Sequence, residues 1–330
     1  MNRRDSLALL ATLPLTACTT VRATNTHPPL LPKRLSPGAN IALITPAGPI
    51  NQARLDRSLQ AITGLGFTPK PGTGVLAQNG YNAGTIEQRL ADLHAAFSDP
   101  TIDAVWAIRG GYGTTQLLPY LDHDLIRRNP KLLIGYSDLT GLLNAIYQRT
   151  GLVGLHGPVA SSTWDDFATS NFLAVAAKSD IPHQILALPG GKTITPGTAT
   201  GQLVGGNLTL TAALCGTPDQ LNVRGKIVFL EDVGEAPYRI DRMLVQLDQS
   251  VNLRSAAGIA LGDFVNCEGA GSNTLPLEQT LRNRLGNLGI PVYLGLPFGH
   301  GEFNCTLPIG RRAGLDATNG RLTLLEAAVR

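Results

Sequence analysis

Charge is scarce in this 330-residue chain. Asp, Glu, Lys and Arg make up 15% of it, and 27 basic against 24 acidic residues leave a net charge of +3. No Lys/Arg block interleaved with aromatics occurs, so nothing supports an electrostatic footprint for nucleic acid. Long apolar runs are missing too, and none reaches the roughly 18 residues of a membrane-spanning helix. Cysteine is limited to Cys18, Cys215, Cys267 and Cys305, without C-x-x-C spacing or a His-x-x-x-His companion. That speaks against a zinc centre, and the three cysteines beyond Cys18 are too few and too scattered for a disulfide framework. They read as small buried apolar residues. Neither G-x-x-x-x-G-K-[ST] nor a G-x-G-x-x-G after a strand is present, which argues against a phosphate cradle. There is no internal repeat. What is plentiful is hydrophobic residues, at 43%, and glycine, at 37 residues. This is the composition of a soluble globular chain long enough for two domains or one large one.

The first residues, "MNRRDSLALLATLPLTACTT", stand apart. A basic start (Arg3, Arg4), a short apolar stretch from Leu7 to Leu15 and then Leu15-Thr16-Ala17-Cys18 have the order of an export signal. The last four resemble a bacterial lipobox, whose cysteine becomes the lipidated first residue, and Arg3-Arg4 loosely resembles a twin-arginine signal. The expectation is a protein exported to the periplasm or cell envelope and held there by lipid at Cys18. The plainer alternative is a chance apolar start on a cytoplasmic enzyme. With 1–18 as signal, the proline-rich stretch that follows reads as a flexible tether over 19–37.

Folding is expected from "ANIALITPAGP" onward. Strand-like apolar runs alternate with helical patterns at Asn51–Leu65 and Thr85–Phe97, followed by "DAVWAIRGGYG" and "LLIGYS". Such alternation predicts crossover connections and a mostly parallel sheet over 38–165. A stretch of weak pattern containing "LPGGKTITPGTATG" places a linker at 166–200. The remainder, 201–330, has more short strands and turns and predicts a second α/β domain with more antiparallel structure.

Ligands of parallel sheets sit outside the carboxyl ends of the strands. There "KLLIGYS" ends at Ser137, "GKIVFLED" at Glu231-Asp232 and "PVYLGLPFGH" at His300, while "AVWAIRGGYG" ends in glycine amides. Serine, histidine and a carboxylate supply nucleophile, base and orienting acid. Each residue also has a plainer role. Ser137 precedes a helical pattern and suits an N-cap, Asp138 a first-turn acid, His300 a structural position, and "LEDVGEAPYRIDR" a solvated loop with a salt bridge. Gly135-Tyr136-Ser137-Asp138-Leu139 lacks the second glycine of G-x-S-x-G, which puts an ordinary α/β-hydrolase in doubt.

The motifs taken in order, "AIRGGYGTTQLLPYLD", "LIGYSDLT", "LHGPV", "LVGGNLTL", "FLEDVGEAPYRIDRMLVQL" and "GLPFGHG…TLPIG", closely resemble the LD-carboxypeptidase family of serine peptidases. That family includes murein tetrapeptide carboxypeptidases and microcin C self-immunity proteins. The resemblance implies two α/β domains with the active site at their interface, usually in a homodimer, and no metal or organic cofactor. It implies Ser137 as nucleophile, Glu231 and His300 as its partners, and the backbone amides of Asp138 and Gly111 as oxyanion donors. Capping remains a compatible second duty for Ser137. Arg109 beside the glycine loop is a candidate carboxylate clamp or salt-bridge partner, and Glu235 and Arg239 are candidates for shaping the pocket. The expected activity is removal of terminal D-alanine from peptidoglycan tetrapeptides. The alternatives are cleavage of peptidyl-nucleotide antibiotics and a lipoprotein that binds muropeptides without cleaving them.

Overall fold

The computed structural model describes residues 27–269 and 273–330. The expected export signal and Cys18 lie outside the described residues. The N-terminal domain alternates β1 (Asn40–Ile44), α1 (Gln52–Gly64), β2 (Thr68–Pro71), α2 (Ile86–Ser98), β3 (Ala104–Ala107), α3 (His123–Arg128), β4 (Leu132–Gly135), α4 (Thr140–Thr150) and β5 (Leu155–His156). Then come α5 (Asp166–Leu173), β6 (His183–Leu186), β7 (Lys192–Thr195), β8 (Thr198–Asn207), α6 (Leu208–Ala213), β9 (Ile227–Val233) and α7 (Pro237–Val251). The chain closes with β10 (Gly258–Val265), α8 (Leu277–Leu285), β11 (Val292–Leu294), β12 (Leu307–Pro308), β13 (Arg312–Asp316) and β14 (Arg321–Leu324). Local chemistry sets many of these ends. Thr85 and Gln88 form a reciprocal capping box on α2, Asn51 caps α1, and Pro237 opens α7 without wasting a backbone donor.

Two sheets result. One runs β12-β5-β4-β3-β1-β2 and is parallel throughout except where β12 returns antiparallel to β5. The other runs β6-β14-β13-β8-β9-β10-β11-β7, a parallel centre (β8 to β11) flanked by antiparallel strands on both sides. The fold is therefore two α/β domains, the second richer in antiparallel pairing.

Helix α4 joins them. It is buried around most of its circumference, as a helix packed on both sides must be. Asn144 on α4 donates from Nδ2 to the Gly205 carbonyl at 2.8 Å and accepts from the Gly205 amide at 3.2 Å, while Thr140 Oγ1 accepts from the Asn207 amide at 2.9 Å. A Cβ at Gly206 would lie 2.5 Å from Thr140 Oγ1, so the "GG" before Asn207 lets strand and helix meet. The helix that follows Ser137 is thereby bonded to the strand beside the one that carries Glu231.

Two stretches differ from the sequence reading. Residues 166–200 are no bare linker. Phe172 of α5 is fully buried against Trp106, with ring centroids 4.6 Å apart, and β6 and β7 form opposite edges of the second sheet. Their apolar positions are few because edge strands bury little, which hid them. The described part of the tether, 27–37, is also held: the Leu30 amide donates to Gly151, Leu35 is buried, and Arg34 donates to the carbonyl of Arg330. Its leucines supply apolar surface, and its extended backbone leaves donors free for the domain.

Candidate active site

Strand β4 is entirely buried, and the chain leaves it through Tyr136 in an extended conformation and Ser137 at φ 63°. A left-handed serine costs about 1–3 kcal/mol and persists only where its surroundings over-determine it. A single 3-10 turn, Ser137–Leu139, leads into α4, and neither it nor α4 receives a side-chain cap. The capping role considered for Ser137 is therefore absent: the φ that projects its hydroxyl turns it from the amides it would cap. Gly110 lies directly against it, since a Cβ there would stand 2.9 Å from Ser137 Cβ and 3.0 Å from Oγ.

The glycine loop is held from below. Buried Arg89 donates from Nη1 to the carbonyls of Pro46 (3.0 Å) and Gly113 (2.9 Å) and from Nη2 to Gln116 Oε1 (2.7 Å). Gly113, at φ 125°, permits that approach, because a Cβ would meet Arg89 Nη1 at 2.6 Å. Asp138 is buried too, its Oδ2 accepting from the Thr114 amide at 2.8 Å. Burial pushes its carboxyl up, against hydrogen bonds from Thr114 and the charge of Arg89. Its carboxylate thus ties the Ser137 turn to the segment after the glycine loop. The Asp138 and Gly111 amides have no backbone acceptor among the described residues.

Across from Ser137, His300 Nδ1 stands 2.6 Å from Glu231 Oε2. Nδ1 as donor leaves Nε2 for the cavity, a tautomer inferred from this bond. Glu231, on β9, is fully buried; burial raises its pKa and the His300 hydrogen bond opposes the rise. Its neighbour Asp232 faces the other way. Asn207 Nδ2 donates to it at 3.0 Å, and the Thr209 amide and hydroxyl donate at 3.0 and 2.9 Å, anchoring the start of α6. Alternation along the strand separates the two acids.

His300 does not follow a strand directly, as the sequence suggested. β11 stops at Leu294, Gly295 at φ 98° turns the chain, and the histidine rides on the loop beyond. The flanking glycines have steric reasons. A Cβ at Gly299 would lie 2.8 Å from Glu231 Cβ and Oε2, and one at Gly301 would lie 2.1 Å from Asp263 Oδ2. Asp263, on β10, is pushed up to about 6 by burial and by the charge of Glu231.

These elements surround a cavity of about 310 Å³, lined among others by Arg54, Arg109, Gly110, Gly111, Ser137 and His300. Tyr136, Ser161 and Ser162 complete its polar wall, and the Tyr136 ring packs 4.8 Å from that of His300. Arg109 makes no salt bridge among the described residues; its Nη1 donates to the Pro49 carbonyl at 2.9 Å. Glu235 and Arg239 do not reach the cavity. They pair with each other at 3.4 Å at the start of α7, and Arg239 also donates to the Tyr238 hydroxyl. Glu235 stands just before the Ala236 N-cap and reaches Arg239 in the first turn of α7, so the two satisfy each other away from the cavity. Sequence reasoning missed Arg54 and Asp263. It also missed the wall supplied by the segment after β5, for which "LHGPV" was the available signal.

A serine and a histidine whose ring is held by a buried carboxylate share one cavity with the glycine-loop backbone, an arrangement able to support hydrolysis by acyl transfer. The matches to known proteins are narrower. Profiles described as the LD-carboxypeptidase N-terminal and C-terminal domains match residues 41–157 and 200–315. The chain is 38% identical over 304 residues to a probable murein peptide carboxypeptidase of Bacillus subtilis, covering 90% of this chain and 95% of that one. It is also 38% identical to a murein tetrapeptide carboxypeptidase of Pseudomonas aeruginosa, covering 85% and 94%. Its fold superposes on an MccF-like protein from Bacillus anthracis with a TM-score of 0.82 at 30% identity, over 90% of this chain and 99% of that one. The chain belongs to the LD-carboxypeptidase family and is a serine-type carboxypeptidase.

Proposed function

We propose that this enzyme removes the terminal D-alanine from peptidoglycan tetrapeptides, cutting the amide between the L-centre of the diamino acid and that residue. The observation that carries the reading is the single cavity shared by Ser137 and His300, with buried Glu231 bonded behind the ring. The murein-peptidase relatives support the substrate class.

In this mechanism His300 Nε2 takes the Ser137 proton as Oγ attacks the scissile carbonyl. Glu231 accepts from Nδ1, keeps the tautomer and balances the imidazolium. The amides of Asp138 and Gly111 receive the oxyanion. As the tetrahedral intermediate collapses, His300 returns the proton to the leaving amine and D-alanine departs. Water then adds to the acyl-enzyme by the same relay and frees the tripeptide. The strained φ of Ser137 serves this chemistry, since a relaxed helical backbone would fold the hydroxyl away from the glycine loop. Alanine release from a tetrapeptide ending in D-alanine tests the reading. Ser137→Ala should lower turnover about 10⁴-fold or more while still binding peptide, and a peptide ending in L-alanine should be cut far more slowly. Near wild-type release by Ser137→Ala would sink the mechanism.

The leader supports an envelope location with lipid at Cys18. Wild type should take up labelled fatty acid and Cys18→Ala should not; absence of label in wild type would remove the anchor from the proposal.

A further inference from the structure

The proposed mechanism accounts for Ser137 and His300 but leaves two charges of the cavity without a duty. Arg54 and Arg109 both line it, no acidic side chain does, and Glu231 is fully buried behind the histidine. Among the described residues neither guanidinium lies within ion-pair distance of a carboxylate. Both are placed by the fold. Arg54 sits in the first turn of α1, where its amide donates to the Asn51 cap at 3.0 Å. Arg109 is tied to Pro49 and packs flat on Gly48, where a Cβ would lie 3.3 Å from its Cζ. Burial, then the charge of Arg109, lowers the pKa of Arg54. Two half-buried like charges facing one space oppose folding, so their juxtaposition without a carboxylate partner points to an anion supplied from outside.

We infer that Arg54, together with Arg109, binds the free α-carboxylate of the residue that leaves, and thereby restricts cleavage to the last bond of a peptide. The inference rests on the peptidase reading above. One residue of extended chain spans about 3.5 Å, so the carboxylate of the leaving residue stays within the cavity that Arg54 and Arg109 line together with Ser137. A planar guanidinium matches a carboxylate with two parallel hydrogen bonds, and a second guanidinium completes its charge. A terminal amide offers neither the charge nor the second acceptor.

The test compares a tetrapeptide ending in D-alanine with the same peptide ending in D-alaninamide, on wild type, Arg54→Gln and Arg54→Lys. Wild type should prefer the acid. Arg54→Gln should raise KM for the acid about 10- to 100-fold and leave the amide nearly unchanged, with Arg54→Lys in between. Loss of activity on both substrates together with a lower Tm would assign Arg54 a merely structural role and overturn the inference, as would an acid preference that survives in Arg54→Gln. Calorimetric binding of both peptides separates this from the parent reading. If wild type cleaves neither, the peptidase reading falls, and an acid-over-amide binding preference that Arg54→Gln abolishes still sustains the arginine site. Equal or absent binding of the two peptides overturns it.

Discussion

The two sheets differ in how they contribute to the cavity. In the N-terminal sheet β3, β4 and β5 are parallel, and the segments leaving their carboxyl ends, at Arg109–Gly111, Tyr136–Ser137 and Val159–Ser162, converge on one place. In the second sheet only the parallel centre serves the site, with Glu231 on β9, Asp263 on β10 and His300 beyond β11. The antiparallel strands β6, β7, β13 and β14 contribute none of the lining residues. Parallel strands direct all their carboxyl ends to one edge, whereas antiparallel ones send alternate ends away. The antiparallel arm covers surface and the parallel strands present chemistry.

The sharpest way to break this comparison is to strip the site from either side. His300→Ala should lower turnover by several orders of magnitude, about as much as Ser137→Ala, because the proposed mechanism makes the two one unit. Glu231→Gln should cost less, since in the proposed mechanism it orients the ring rather than moving the transferred proton. Steady-state alanine release from the three variants would show it, and equal loss in all three would assign Glu231 more than orientation.

Glycine substitutions give a smaller contrast between the two sides. Gly301→Ala places a Cβ against Asp263 and Gly299→Ala places one against Glu231, so both should lower stability by about 1–3 kcal/mol and turnover with it. Gly110→Ala presses on Ser137 itself, at a residue without positive φ, and should reduce turnover more than Tm. Thermal melts beside kinetics would separate them, and a Gly110→Ala enzyme of full activity would detach that loop from the site.

A last contrast concerns pH, where the sheets act with opposite signs. His156 on β5 is wholly buried and neutral, and burial lowers its pKa to about 3 from 6.5. Its contribution to stability is present above pH 6.5 and is lost as pH falls toward 3. Asp263 has its pKa raised to about 6 from 3.8, so its folded form holds the proton more tightly. It destabilises progressively as pH climbs from about 4 through 6, and the cost persists at neutral pH. Asp263→Asn should therefore be more stable than wild type at pH 7, with the gain gone below pH 4. His156→Phe should flatten the decline between pH 6.5 and 4. Denaturant midpoints across that range test both, and unchanged slopes would show that neighbouring charges, not these two groups, govern the acid limb.

Much of this was legible in the chain itself. Strand and helix alternation over the N-terminal domain and the helices near 52–64 and 86–98 follow from local periodicity, as do the ends of the β4 and β9 runs near Ser137 and Glu231, whereas His300 stands on a loop beyond β11 and was marked by motif resemblance. These signals are local, so one dimension carries them. Tertiary structure alone decided the rest. β6 and β7 exist because Arg321 and Tyr293, each 100 or more residues away, supply partners for Leu186 and Thr193. Glu231 and Asp232 exchange no sequence clue about which one faces the histidine, because alternation fixes only that they differ. Glu235 and Arg239 resembled pocket residues yet satisfy each other on the surface of α7. Arg54 looks like any solvated arginine on an amphipathic helix until α1 turns it toward Arg109. Charge placement of that kind depends on how distant elements pack, and the sum of long-range contacts that fixes the packing is not written in any one stretch of residues.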